Sequence, residues 1–169
     1  MGLLRSQDPA QIQQAVELLR VMSATERAAV LHHANLKGAR LDGADLRGLC
    51  FDGAVLWRSN MEAVRLEGAR LRGADLRGVN LERADLRGAD LTDADLRGAL
   101  LREARLDAAT LRRADLRSSF AVRAVLRGAD LREADLRGAD LTDAVLDRAE
   151  LVGASSDVQT RWPGGVPPR

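Results

Sequence analysis

From Ala34 to Gly153 a leucine or a substitute recurs at every fifth position, at 36, 41, 46 and onward to 151. The substitutes are Phe51, Met61 and Ala121. A small residue, usually Ala, stands two positions before each, with larger residues at Leu49, Val64 and Val79. The remaining three positions of each unit are mostly polar, and the 24 units run without insertion or deletion. Neither regular element has this period. In an α-helix five residues turn the side chain by about 140°, so the leucines would spiral over every side. In a straight strand an odd step alternates faces. A five-residue period points inward each time only if the chain turns a corner once per unit. Four corners close a square coil of 20 residues, and stacked coils place Leu on Leu and Ala on Ala. The core ladder then includes Leu36, Leu56, Leu76, Leu96, Leu116 and Leu136.

The units "ADLRG" at Ala74, Ala84 and Ala94 follow the pattern A-(D/N)-L-x-x, and about 120 residues of the chain resemble the pentapeptide-repeat proteins. The resemblance implies an all-β solenoid, a right-handed quadrilateral β-helix of about six coils. Its Leu and small positions face inward and its other three positions face out. The stretch "TRWPGGVPP", Thr160 to Pro168, is similar to a tail that follows such repeats, with Val166 where an aromatic is expected.

Residues 1–33 follow a different rule. Asp8 and Pro9 form a helix start, as cap and first helical residue. Ile12, Ala15, Val16, Leu19 and Met22 share one helical face. "SATE", Ser23 to Glu26, is a capping box that opens a second short helix reaching His32. The organisation expected is an N-terminal helical cap at 1–33, the repeat rod at 34–153 and a C-terminal tail or cap at 154–169. Caps are needed because a rod end exposes unpaired backbone. Large Leu49 and Phe51 suit a position under the N-terminal cap, and Trp162 suits the other end.

Composition sharpens this picture. The chain has two Phe, two Trp and no Tyr, so its interior is filled by Ala, Leu and Val rather than by aromatics. Charged residues make up 30% of the sequence yet leave a net charge of +1, and over residues 34–153 they cancel. No face of the square carries a net charge above two units of either sign. That balance speaks against direct binding of nucleic acid, which selects a basic surface with aromatic interleaving. It also weakens one role implied by the family resemblance, an acidic DNA-mimicking rod that protects a type II topoisomerase such as gyrase. No apolar run reaches the ~20 residues of a membrane span. The start fits a myristoylation pattern only loosely, through Gly2 and Ser6. Cys50 is the sole cysteine, which excludes an intramolecular disulfide and points to the cytoplasm.

Outward residues 20 apart stack. Asp75, Asp95, Asp115 and Asp135 form one column, flanked by Arg77, Arg97, Arg117 and Arg137. The polar regularity breaks in "SSFAVRAVL", Ser118 to Leu126, where Phe120, Val122 and Val125 take outward slots and Ala121 an inward one. Leu100 stacks one coil before Phe120, and Val145 one coil after Val125. Two arrangements satisfy this stretch. In one, these five residues form an apolar contact patch. In the other, a bulge turns Phe120 inward to replace the missing leucine.

Chemistry is sparsely signalled. Acid pairs such as Asp90 with Asp93 and Asp140 with Asp143 follow automatically from the repeat. No nucleophile elbow or phosphate-binding loop is present, and no catalytic residue or cofactor is expected. His32, His33 and Cys50 cluster near the helix–rod junction, but their spacing fits no standard zinc pattern, so no metal is expected. Trp57 is outward, as a cover for the first coils or a contact anchor. The reading is a non-enzymatic interaction or scaffold rod whose protein partner the sequence does not name, self-association being the first candidate if the apolar patch forms, with topoisomerase protection as the alternative.

Overall fold

The computed structural model describes residues 31–165, together with Gln14, Leu18, Met22 and Ser23. From Asn35 onward every fifth residue pairs in parallel with the residue 20 positions on, from Asn35 with Val55 to Asp135 with Ser155. Four short bridges and four turns therefore make each circuit. The faces are zipped by backbone hydrogen bonds. Leu36 N–H donates to the Val55 carbonyl (2.7 Å) and Val55 N–H donates to that of Ala34 (2.8 Å), and this alternation repeats up the rod.

Each corner is a β-turn. Ala39 N–H donates to the Leu36 carbonyl (3.0 Å), closing a loop through Lys37 and Gly38. Every fifth residue from His33 to Gly153 has φ between 53° and 75°, and these are twelve glycines and thirteen other residues. This is the turn class that needs positive φ at its second central residue. The sharp corner explains the frequent glycine, and its recurrence explains why the period is five. The bridge-position Asp or Asn supports the same corner. Its Oδ1 accepts the N–H two residues on, as in Arg77 to Asp75 (3.3 Å) and Glu82 to Asn80 (3.0 Å). The D/N of the repeat is thus a turn cap as well as a surface charge.

The leucine and alanine columns fill the interior. Leu36, Leu56, Leu76, Leu96, Leu116 and Leu136 are all at most 3% exposed. Leu49 and Phe51 are buried, and Leu31 and Met22 pack against the same core. Gln14 and Leu18 are helical, while the rest of the N-terminal helical reading up to residue 30 lies outside the described residues, apart from Met22 and Ser23. The inward bulge at Phe120 does not occur. Phe120 is 51% exposed, and Ala121 keeps the inward position at 2%. The reason is the ladder itself. Phe120 N–H donates to Ala99 and its carbonyl accepts from Leu101, and turning the side chain inward would break both bonds. Beside Ala121 the buried Ser119 hydroxyl has no hydrogen-bond partner.

At the C-terminal end the register slips by one, and Asp140 pairs with Arg161, 21 positions on. Asp157 accommodates the extra residue: its Oδ1 accepts the N–H groups of Gly138, Gln159 and Thr160, each at 3.0 Å. The Thr160 hydroxyl donates to the Leu136 carbonyl (3.0 Å), and Trp162 packs partly buried against the core. Val166 lies outside the described residues.

Candidate interaction surface

Two kinds of outer surface stand side by side on the rod. The first is an ion-pair ladder. The Arg77 guanidinium donates from Nε to Asp75 Oδ1 (2.8 Å) and from Nη2 to Oδ2 (2.6 Å) in a two-pronged fork. Its Nε also lies 3.7 Å from Asp95 of the next coil. Arg97 repeats this with Asp95 and then Asp115, and Arg117 with Asp115 and then Asp135. Each guanidinium thus bridges two carboxylates of the column, which is how like charges ~4.8 Å apart are tolerated. The Arg77 fork holds the Asp75 carboxyl below its usual range, opposed by partial burial. The Arg47 fork lowers Asp45 to about 2. These carboxylates are already satisfied and offer few free lone pairs to an incoming basic surface.

Trp57 belongs to the same design. It sits between Lys37 and Arg77 in one outward column, with Lys37 Nζ 4.2 Å and the Arg77 guanidinium 5.8 Å from its ring. Arg58 lies 5.1 Å away. A ring between stacked cations replaces repulsion by two cation–π contacts. Cover and cation spacer describe it better than contact anchor.

The second kind of surface is apolar. The bridges pair Leu100 with Phe120 on one face and Val125 with Val145 on the next. Val122 lies at the corner between them, and all five side chains reach the surface. Phe120 is the most open of the five. Ion pairs of both signs rim the patch. Arg123 Nη2 binds Glu103 at 2.6 Å, Arg83 reaches Glu103 at 3.6 Å, and Arg105 lies 3.8 Å from Asp85. The expected residues therefore come together, around a corner rather than on one flat face. Such a patch can contribute hydrophobic contact area, with the rim setting orientation.

The junction residues converge as well. Cys50 Sγ lies 3.7 Å from His32 Nδ1, and the two histidine rings meet edge to face at 4.1 Å between centroids. Asp52 completes a group whose ligand atoms lie within 4.8 Å of one another. Spacing rules missed this group because they look for short loops. The usable signal is the period: Asp52 lies 20 residues, one circuit, beyond His32.

A family model described as pentapeptide repeats matches the chain in 8 copies between residues 27 and 155. No curated protein matches. Among solved structures, a pentapeptide repeat protein of the Arabidopsis thaliana thylakoid lumen is 27% identical over 73% of this chain and 73% of its own, with a TM-score of 0.48. HetL of Nostoc, described as involved in heterocyst differentiation regulation, is 29% identical over 80% of this chain and 77% of its own, at a TM-score of 0.30. QnrB1, described as a plasmid-mediated fluoroquinolone resistance protein, is 20% identical over 75% of this chain and 81% of its own, at a TM-score of 0.29.

Proposed function

Because this chain belongs to the pentapeptide-repeat family, we propose that it is a non-enzymatic cytoplasmic rod that binds protein, and that its first partner is a second copy of itself. The observation that carries this reading is the patch of Leu100, Phe120, Val122, Val125 and Val145, which interrupts the ion-paired columns of the rod. A two-fold axis near Phe120 would set patch on patch. The Arg123–Glu103 rim supplies both signs, as a self-complementary contact requires. The two apolar columns rise only about 10 Å along the axis at strand spacing. That is well below the ~800 Å² per partner of a standard interface, so the dimer is weak and concentration-dependent.

Light scattering with sedimentation equilibrium tests this. The expected result is a monomer at low micromolar concentration that becomes dimeric at high micromolar, with Phe120→Asp monomeric throughout. A wild-type monomer across the range, or a dimer indifferent to Phe120→Asp, overturns it. Topoisomerase protection is the alternative, and it rests on the family resemblance alone. The Asp–Arg ladder counts against it, since a DNA surrogate presents unneutralised acid. A gyrase supercoiling assay with and without quinolone tests it: rescue or inhibition would support it, and neither at stoichiometric excess would end it.

A further inference from the structure

We propose that His32, Cys50 and Asp52 form a binding site for a divalent transition metal of the zinc class. Coil stacking builds the site. His32 sits one circuit before Asp52, and the register is fixed by His33 N–H donating to the Asp52 carbonyl at 3.0 Å. Cys50 is the bridge residue of the same unit, held by the pairing of Cys50 with Arg70. Three donors from two layers thus converge without any loop between them.

The distances suit a tetrahedral ion. Zinc bonds of ~2.3 Å to sulfur and ~2.05 Å to nitrogen place the two donors about 3.5 Å apart. Cys50 Sγ and His32 Nδ1 are 3.7 Å apart, and all three ligand atoms lie within 4.8 Å of one another. Small side-chain rotations close the site. The donor set of thiolate, imidazole and carboxylate selects zinc or cobalt over magnesium or calcium. Asp52 is buried, Cys50 half-buried and His32 exposed, so the fourth position faces solvent and takes a water. The Asp52 carboxylate is aimed from behind: the Arg72 backbone N–H donates to Oδ1 at 3.0 Å.

One group competes with the metal. The Arg70 guanidinium is paired to Asp52 Oδ2. Its side chain is 58% exposed and free to swing into solvent. Arg70 therefore holds the place of the cation, and the metal must displace it. The bound ion would tie the entry of the chain at His32 to the first coil.

The test uses the full chain and cobalt(II) as probe, read by the thiolate-to-cobalt charge-transfer band, with zinc as competitor. The expected result is one ion per chain. Cys50→Ser should abolish the band, His32→Ala should weaken binding at least tenfold, and Arg70→Ala should tighten it about tenfold. Cys50 is the only thiol in the chain, so its alkylation rate gives a second readout in the unmutated protein. Zinc should slow that rate, whatever the variants do to folding. No band at saturating cobalt together with unprotected alkylation would mean a weak S–H···N hydrogen bond only, and would overturn the proposal. A band unchanged in His32→Ala, or weakened in Arg70→Ala, would overturn it equally.

Discussion

The corner offers the most direct test of the physics that sets the repeat. Gly88 and Ala108 occupy the same corner in adjacent coils, with φ of 64° and 54°. Their N–H groups make the same inter-coil bond, to Asp107 at 2.9 Å and to Arg127 at 2.8 Å. A Cβ added at Gly88 meets nothing within 4 Å, so Gly88→Ala isolates the backbone cost. An L-residue in the left-handed region costs about 1–2 kcal/mol. The lower entropy of the unfolded Ala chain returns about 0.4–1 kcal/mol. Gly88→Ala should therefore destabilise by about 0.5–1 kcal/mol, and Ala108→Gly should stabilise by the same amount. The measurement is urea unfolding of each single variant and of the double variant, with the slope checked for constancy. The double variant should return to the wild-type midpoint, because the changes leave side-chain packing untouched. A destabilising Ala108→Gly would refute the argument. It would mean that Gly is selected at these corners for something other than its left-handed backbone.

The remaining predictions concern the core and the charged surface. Ser119→Ala removes a buried hydroxyl that lacks a partner, and should raise stability by about 1 kcal/mol in the same urea assay. On acidification, Asp45 and Asp75, held below the usual carboxylate range by the Arg47 and Arg77 forks, stabilise the fold above their unfolded value near 4. That contribution is lost as pH falls from about 4 toward the folded value of about 2 at Asp45. The thermal midpoint should therefore be flat from pH 7 to 5 and should drop below about 4. The drop should be shallower in high salt, since both pairs are exposed and screened. A midpoint that rises on acidification would contradict the ladder.

Where the repeat is regular, the linear pattern determined almost everything. An inward Leu every five residues admits one closed path, and Leu36 through Leu136 lie buried as that path requires. The stacking was legible too, because a strict period turns sequence offset into neighbourhood: Leu100 meets Phe120 because they are 20 apart. What the pattern left open was decided by backbone hydrogen bonding. Whether Phe120 faced in or out turned on the unbroken ladder through Ala99 and Leu101, which a count of apolar residues does not contain. The neutralisation of the Asp column likewise depends on the reach of Arg77, Arg97 and Arg117 to two coils at once.

The junction lies furthest from what sequence alone settles. Read along the chain, His32 stands 18 residues from Cys50 and 20 from Asp52. Only the stacking of one circuit on the next brings their donor atoms within 4.8 Å. Local sequence fixes which way a side chain points, through the corner and the turn cap. Which layer it then meets is a property of the closed coil, because that contact is made by hydrogen bonds between residues 20 apart.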